Sequence, residues 1–173
     1  MTDFLRNITL DPARPIRVLF VCLGNICRSP AAEGILRDVV ERHSASAFWE
    51  IDSAGTGHWH IGQLPDPRMR SHARRRGIEL THVCRVITTD DYDHFDIIIG
   101  MDRANISELR HLAPTIEGAK KVVEMAAFFS PSATYDYVPD PYYEGHEGFE
   151  LVLDLLEDAC QNLYDTLTKI HQQ

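Results

Sequence analysis

Four short apolar segments rich in β-branched residues recur along the chain and predict β-strands. They are Ile16–Val21, Phe48–Asp52, Phe95–Met101 and Lys120–Met125. The first and third are almost continuously apolar, which is typical of strands that are buried on both faces of a sheet. The pattern therefore predicts a sheet that is covered by other elements on both sides.

Helical periodicity fills the stretches between these strands. Pro30–His43 follows a Ser-Pro start signal, and Pro67–Arg76 and Ala104–Leu112 are shorter candidates. The clearest helix is Glu147–Ile170, in which apolar residues recur at spacings of three and four. The alternation of strands and helices predicts a single α/β domain in three layers: a four-stranded, twisted parallel sheet with helices on both faces.

The composition suits one such domain. The chain has 173 residues, of which 44% are hydrophobic and 25% charged, and it contains no internal repeat or low-complexity linker. We assign residues 15–173 to the domain and residues 1–14 to an N-terminal extension, for which the sequence suggests no role.

Charge and cysteine content narrow the possible partners. The net charge of −9 argues against nucleic-acid binding. Four cysteines are too few for a disulfide scaffold, which favours a reducing compartment. The N-terminal residues lack the apolar run of a signal peptide, and the longest apolar runs are too short to cross a bilayer. We therefore expect a cytoplasmic protein with no membrane partner; the sequence does not predict its oligomeric state.

The segment VCLGNICRSP, residues 21–30, connects the first predicted strand to the first predicted helix. Successive N–H groups in such a turn, together with the helix dipole, form an anion site. Gly24 and Asn25 are the residue types that best tolerate positive φ, and Arg28 offers a planar fork that suits two phosphate oxygens. The segment therefore predicts a phosphate-binding loop. No Gly-Lys-Ser/Thr follows it, so it is not a nucleotide P-loop.

Cys22 lies at the base of this loop and is the candidate nucleophile. A helix N-terminus and a nearby arginine favour the thiolate, and a hydrogen bond from Ser29 would favour it further. A thiolate that faces a bound oxyanion predicts attack on phosphorus and a covalent phosphocysteine. One alternative is a buried structural cysteine. Another is a zinc site with four ligands: Cys22, Cys27, His82 and Cys84.

Further polar residues follow the other predicted strands. Ser53–Trp59 comes after the second strand, Asp102 after the third, and Asp140 lies in the long loop that leaves the fourth. Because ligands bind beyond the carboxyl ends of parallel strands, we expect these residues to meet the phosphate-binding loop at one edge of the sheet. Taken alone, Asp140 is also compatible with an ordinary Asp-Pro turn.

These motifs resemble those of the low-molecular-weight protein tyrosine phosphatases. VCLGNICRSPAAEGIL is similar to the family's C-x5-R-S phosphate-binding loop and the helix after it. IDSAGTGHWHIGQLPDPRM is similar to its second-strand loop, IIGMD to its third-strand end, and VPDPYY to its Asp-Pro loop. The resemblance extends from Arg17 to the final helix. It implies a four-stranded parallel sheet flanked by helices and hydrolysis of phosphotyrosine in proteins and of small aryl phosphates, with no cofactor and no metal.

The resemblance assigns catalytic roles to three residues. Cys22 would be the nucleophile, Arg28 the phosphate clamp, and Asp140 the general acid that protonates the leaving phenolate and then activates water. A phenolate benefits from a proton donor, whereas an aspartic acid is mostly ionised near pH 7. We therefore expect a bell-shaped pH profile with an acidic optimum.

The resemblance also implies supporting roles. The remaining phosphate-binding loop residues are Leu23, Gly24, Asn25, Ile26, Cys27 and Ser29. The network that holds the loop would contain Asn25, Ser53, His82 and Asp102. In this network, Asp102 would orient His82. The aromatic walls of the substrate pocket would be Trp59, Tyr142 and Tyr143. Relatives that act on phosphoarginine tend to carry threonine at the position of Ile26, so we expect phosphotyrosine to be the substrate.

Cys27 predicts a second, redox property of the loop. Peroxide could oxidise Cys22 to a sulfenic acid, which Cys27 could trap as a reversible disulfide. The resemblance implies the same protective role. The alternative is that Cys27 is only a small buried filler.

Two other functions fit parts of the pattern. Thiol-dependent arsenate reductases resemble this fold and loop, but they need two more cysteines near the third strand, where this chain reads IIGMDRANISEL. Non-catalytic phosphotyrosine-binding modules usually lose the nucleophile, the arginine or the acid, whereas this chain has Cys22, Arg28 and Asp140. The sequence therefore favours an enzyme.

Overall fold

Strands and helices alternate through residues 2–173, the part of the chain that the computed structural model describes. The strands are β1 (Ile16–Cys22), β2 (Trp49–Gly55), β3 (Ile97–Gly100) and β4 (Val122–Glu124). The helices are α1 (Asp3–Asn7), α2 (Arg28–Arg42), α3 (Pro67–Arg75), α4 (Thr89–His94), α5 (Arg103–Leu112), α6 (Ile116–Lys120) and α7 (His146–His171). Two short 3-10 turns lie at Ser46–Phe48 and Met125–Phe128.

The strands form one parallel sheet in the order β2-β1-β3-β4. This confirms the predicted single α/β domain with a four-stranded parallel sheet. At the carboxyl edge, Cys22 pairs with Gly55 on one side, and Val21 pairs with Gly100 on the other. The strand order reverses between β1 and β3, and a crevice opens at such a point in a parallel sheet. The loops that follow β1 and β3 border this crevice.

Both faces of the sheet are buried, as the apolar runs predict. Val18 and Phe20 of β1 belong to a large hydrophobic cluster that they share with α2 and α7. Leu19 and Val21 point to the other face and join a smaller cluster with α4 and α5. Because alternate side chains of β1 enter two different cores, every position in its second half must be apolar.

Three short helices and the bounds of β2 differ from the prediction. Helices α1, α4 and α6 have five or six residues each, too few for an apolar period to be visible. For α4 a capping signal exists, since Asp91 Oδ2 accepts a hydrogen bond from the Thr88 N–H at 2.7 Å. Strand β2 continues to Gly55, so Ser53 lies inside the strand rather than in a loop after it.

The N-terminal segment packs on the domain. Leu5 and Leu10 are buried in the large cluster. The guanidinium of Arg14 lies 2.9 Å from Asp96 Oδ1, and Nε2 of His171 lies 2.9 Å from the Arg14 carbonyl. The division of the chain after residue 14 stays a prediction. Among residues 2–173, no helix is long and apolar enough to cross a membrane.

Replacement of Leu156 by alanine tests how strongly α7 anchors the core. Leu156 is 0% exposed within the large cluster, so Leu156→Ala should lower the free energy of unfolding by about 2–5 kcal/mol. Urea denaturation with an unchanged m-value measures this loss. The control is Ile116→Ala, since Ile116 is 72% exposed and its truncation should cost about 0.5 kcal/mol or less. Equal losses in the two variants would contradict this account of the core.

Candidate active site

The loop between β1 and α2 lies at the crevice. Cys22 is the last residue of β1, and Arg28 is the first residue of α2, one position before the predicted Ser-Pro start. Of the two residues predicted to tolerate positive φ, only Asn25 uses it, with a φ of 56°. Gly24 serves differently: a Cβ there would lie 3.2 Å from His60 Cδ2. Its missing side chain therefore makes room for the second-strand loop.

The Asn25 side chain holds this loop through four hydrogen bonds. Its Nδ2 donates to Ser29 Oγ at 2.8 Å and to Ser53 Oγ at 3.0 Å. Its Oδ1 accepts from the Arg85 N–H at 3.0 Å and lies 2.8 Å from His82 Nε2. An amide has two donor and two acceptor positions, and all are used here. The structure thus brings together the predicted residues Asn25, Ser29, Ser53 and His82.

Ser29 lies beside the sulfur of Cys22. The distance between Ser29 Oγ and Cys22 Sγ is 3.0 Å, and Ser29 Oγ also lies 3.2 Å from the Ala54 carbonyl. The hydroxyl has one proton to donate. A thiolate has none, so with Cys22 ionised Ser29 is the only donor in the pair.

The N-terminus of α2 adds positive potential. Cys27 occupies the N-cap, where its side chain makes no capping hydrogen bond, and the first turn contains no acidic residue. The partial positive charge of this 15-residue helix is therefore not offset by its own first turn.

Arg28 is buried and anchored, with its side chain only 3% exposed. Its Nη1 donates to Asp102 Oδ2 at 2.6 Å and to the Val138 carbonyl at 3.0 Å, and its Nη2 lies 3.6 Å from Asp140 Oδ2. Burial acts to lower the pKa of Arg28, but the charge of Cys22 and the hydrogen bond to Asp102 raise it by more. The guanidinium therefore stays charged beneath the loop.

The prediction that Asp102 orients His82 is wrong. Asp102 caps α5 by accepting from the Asn105 N–H at 2.8 Å, and its other oxygen binds Arg28. Nδ1 of His82 instead lies 3.1 Å from Glu33 Oε1 and 3.4 Å from Asp52 Oδ1. The acids that flank His82 come from α2 and β2, on the opposite side of β1 from Asp102.

The sequence did not single out Glu33 or Arg85, which complete this network. Burial acts to raise the pKa of Glu33, but its polar neighbours, first among them His82, together lower it by more. Arg85 donates to Asp52 Oδ2 at 3.0 Å and to Asp91 Oδ2 at 2.9 Å. These bonds hold in place the segment that also carries His82. One signal for Glu33 exists: it is an acid in the apolar run PAAEGIL, where an unpaired charge would be costly to bury.

The predicted zinc alternative is not supported. In residues 2–173, groups of three ligand atoms within 4.8 Å of one another are His72 with His146 and Glu150, and Glu33 with Asp52 and His82. Neither group contains a cysteine. Cys84 instead donates to the Asn25 carbonyl at 2.9 Å.

A cavity of about 410 Å³ opens above the loop. It is lined by loop residues, by Asp140, and by an aromatic rim made of Trp59, His60, Tyr142 and Tyr143. The predicted aromatic residues therefore meet at this cavity, and His60 is an addition. Asp140 Oδ1 accepts from the Tyr142 N–H at 3.0 Å, so a hydrogen bond connects this carboxyl to one aromatic wall. A groove of about 930 Å³ beside β4 is larger but contains none of the predicted residues.

Cys27 is a buried free thiol next to this cavity. Burial raises the pKa of Cys27, and the negative charges of Asp66 and Cys22 raise it further. The Cys27 thiol is therefore protonated at neutral pH, and it lies close enough to Cys22 for the two groups to interact electrostatically.

Comparisons with known proteins agree with this geometry. Residues 17–173 match the family model described as "Low molecular weight phosphotyrosine protein phosphatase". The protein of that name from Schizosaccharomyces pombe is 40% identical over 153 residues, which are 88% of this chain and 97% of that protein.

Solved structures agree as well. A protein tyrosine phosphatase from Entamoeba histolytica with Hepes in its active site has a TM-score of 0.86 at 42% identity, covering 89% of this chain and 97% of that chain. The Drosophila arginine phosphatase has a TM-score of 0.81 at 31% identity, covering 87% of this chain and 96% of that chain. With a family model matched over nearly its whole length, the chain belongs to the low molecular weight phosphotyrosine protein phosphatases, a family of hydrolases.

Proposed function

We propose that this chain hydrolyses phosphotyrosine in proteins through a phosphocysteine intermediate. Cys22 is the nucleophile, Arg28 the phosphate clamp, and Asp140 the general acid and base. The observation that carries this proposal is the single cavity into which the strand-end thiol, the anchored guanidinium and the loop carboxyl all open. The hydrolases to which the chain is similar support the same reaction.

The substrate phosphate binds against the loop amides and the N-terminus of α2. Asp102 and Val138 hold Nη1 of Arg28, so Nε and Nη2 meet two phosphate oxygens as a fork. These donors are fixed before the substrate arrives, and they stabilise the charge that spreads over the equatorial oxygens in the transition state.

The reaction proceeds in two halves. First, the Cys22 thiolate forms a bond to phosphorus as the bond from phosphorus to the phenol oxygen breaks, and Asp140 gives its proton to that oxygen. Then water transfers a proton to Asp140 and bonds to phosphorus as the S–P bond breaks. Inorganic phosphate and the thiolate are released. Ser29 donates a hydrogen bond to the Cys22 thiolate before the S–P bond forms and again when the thiolate is released.

Phosphoarginine is the second candidate substrate, because the chain is also similar to an arginine phosphatase. Ile26 argues against it. Ile26 lines the cavity with an alkyl side chain, which cannot accept a hydrogen bond from a guanidinium as a threonine hydroxyl could. The aromatic rim offers stacking to a phenyl ring. The protein substrates and the expected cytoplasmic location stay predictions.

Aryl phosphate hydrolysis by reduced protein tests the proposed roles. We expect activity that is insensitive to chelator and highest at acidic pH, and a loss of about 10³-fold or more in Cys22→Ser. Asp140→Asn should lower kcat by about 10²- to 10⁴-fold, and least for phenols that leave easily without a proton.

Asp136→Asn is the matched control, because Asp136 is an exposed acid of the same loop and its ion pair with Arg103, at 3.2 Å, lies at the surface. It should behave as the wild type. Wild-type rates in Cys22→Ser, or an Asp140→Asn defect that is the same for all leaving groups, would remove these assignments.

Gly55 tests whether loop shape governs the rate. A Cβ at Gly55 would lie 2.8 Å from the Leu23 carbonyl and 3.0 Å from the Asn25 nitrogen, both backbone atoms of the loop. Gly55→Ala should therefore displace the loop and reduce kcat/KM by about 10²-fold in folded protein. In Gly145→Ala, the control, an added Cβ meets nothing within 4 Å, and activity should be retained. Full activity in well-folded Gly55→Ala would contradict a pre-shaped loop.

Cys27 tests redox protection. Peroxide converts the Cys22 thiolate to a sulfenic acid, which condenses with the Cys27 thiol to give a disulfide and water. Cys27→Ser should lose activity in peroxide irreversibly, whereas the wild type recovers when dithiothreitol is added. Cys160→Ala is the control, because Cys160 is a buried cysteine of α7 outside the loop, and this variant should recover as the wild type does. If Cys27→Ser recovers as fully as the wild type, Cys27 is a filler.

A further inference from the structure

A second group of reactive side chains lies outside the catalytic cavity, where α3 meets the start of α7. His72, His146 and Glu150 each bring one ligand atom to within 4.8 Å of the others. His72 belongs to α3, whereas His146 and Glu150 are the first and fifth residues of α7. Residues four apart on a helix lie on the same face, so α7 presents a pair of ligands toward the histidine of α3.

The three side chains already face one another. Nδ1 of His72 lies 2.6 Å from Glu150 Oε1, and the rings of His72 and His146 have centroids 4.2 Å apart. Two imidazoles and one carboxylate are a donor set that zinc takes when its fourth position is left to water. Imidazole also suits nickel and copper.

The surroundings keep His72 in place and leave His146 able to adjust. His72 is 5% exposed, and its ring stacks on Phe149 at 5.5 Å. His146 is exposed to solvent. Zinc bonds of about 2.0–2.1 Å put tetrahedral ligand atoms about 3.4 Å apart. Nδ1 of His72 and Oε1 of Glu150, which lie 2.6 Å apart, must therefore separate slightly as the ion replaces the contact between them. Rotation of the exposed His146 side chain can bring its ligand atom to the same ion, which can enter from that side.

Arg76 contacts this group through its ion pair with Glu150. The same guanidinium also pairs with Asp154 at 2.9 Å and with Glu157 at 3.3 Å. Three carboxylates therefore surround one guanidinium, and their excess negative charge favours the binding of a further cation. Arg76 contacts Glu150 Oε2, while Oε1 faces His72. An outer hydrogen bond of this kind orients a ligating carboxylate.

We propose that His72, His146 and Glu150 form a binding site for Zn²⁺ or a similar divalent transition-metal ion. The bound ion joins α3 to the first turn of α7. That turn follows directly on the loop of Asp140 and Tyr142, and Arg68 of α3 lies over the Tyr142 ring at 5.4 Å. The site is structural and does not depend on the phosphatase reaction.

Zinc binding to the full chain in a Cys22→Ser background tests the proposal, because that substitution removes a thiolate that could itself bind zinc. Competition with a chromophoric chelator at neutral pH measures the affinity, and thermal unfolding measures stabilisation. We expect one Zn²⁺ per chain at micromolar or lower Kd and a Tm that rises with zinc concentration. Adding His146→Ala should weaken binding at least about 10-fold and reduce the rise in Tm at the same zinc concentration.

His94→Ala is the matched control, since His94 is an exposed histidine that lies 2.6 Å from Glu50 and does not belong to this group. It should bind zinc as the parent does. His146 is exposed, so its truncation should leave the fold intact, which circular dichroism checks. Equal zinc affinity with and without His146, or no binding to the parent below millimolar zinc, would overturn the proposal.

Discussion

The left-handed backbone of Asn25 is the constraint on which the active site depends. A non-glycine residue in this conformation is held there at a cost of about 1–3 kcal/mol, and only when its surroundings fix it. The partners of its amide come from three separate places: α2, β2 and the segment that carries His82 and Arg85. The loop therefore has this shape only when the sheet and its flanking segment are assembled, and its amides would be oriented before a substrate binds.

The charges around the loop show how a protein with a net charge of −9 can bind an anion. Arg28 is buried between Asp102 on one side and Asp140 on the other. The bond to Asp102 is short and holds the guanidinium, whereas Asp140 lies 3.6 Å away and half-exposed. Phosphate oxygens that arrive between Arg28 and Asp140 would be attracted to the guanidinium, which the bond to Asp102 keeps in place.

Motifs at strand ends could be predicted from the sequence, but the partners across the sheet could not. Continuous apolar runs marked β1 and β3, and turn residues marked the loop between β1 and α2. The strand order determines which partners Asp102 and His82 meet. Asp102 follows β3, which lies on the side of β1 that faces Arg28. The segment of His82 bridges Gly55 through Val86, beside β2, and so meets Asp52 and Glu33. Nothing in the linear spacing separates these two sides, so the sequence does not predict that Asp102 pairs with Arg28 rather than with His82.

The two thiols of the loop differ because their neighbours differ. Cys22 faces Ser29 and the guanidinium of Arg28, whereas Cys27 is buried near Asp66, whose charge helps to keep its proton on. Only Cys22 is therefore suited to attack phosphate. Oxidation changes this balance, because a sulfenic acid at Cys22 is uncharged. The negative charge of Cys22, which helps to raise the pKa of Cys27, is then lost. The loss would make Cys27 easier to ionise, and the thiolate is the form that attacks most readily in the proposed disulfide step.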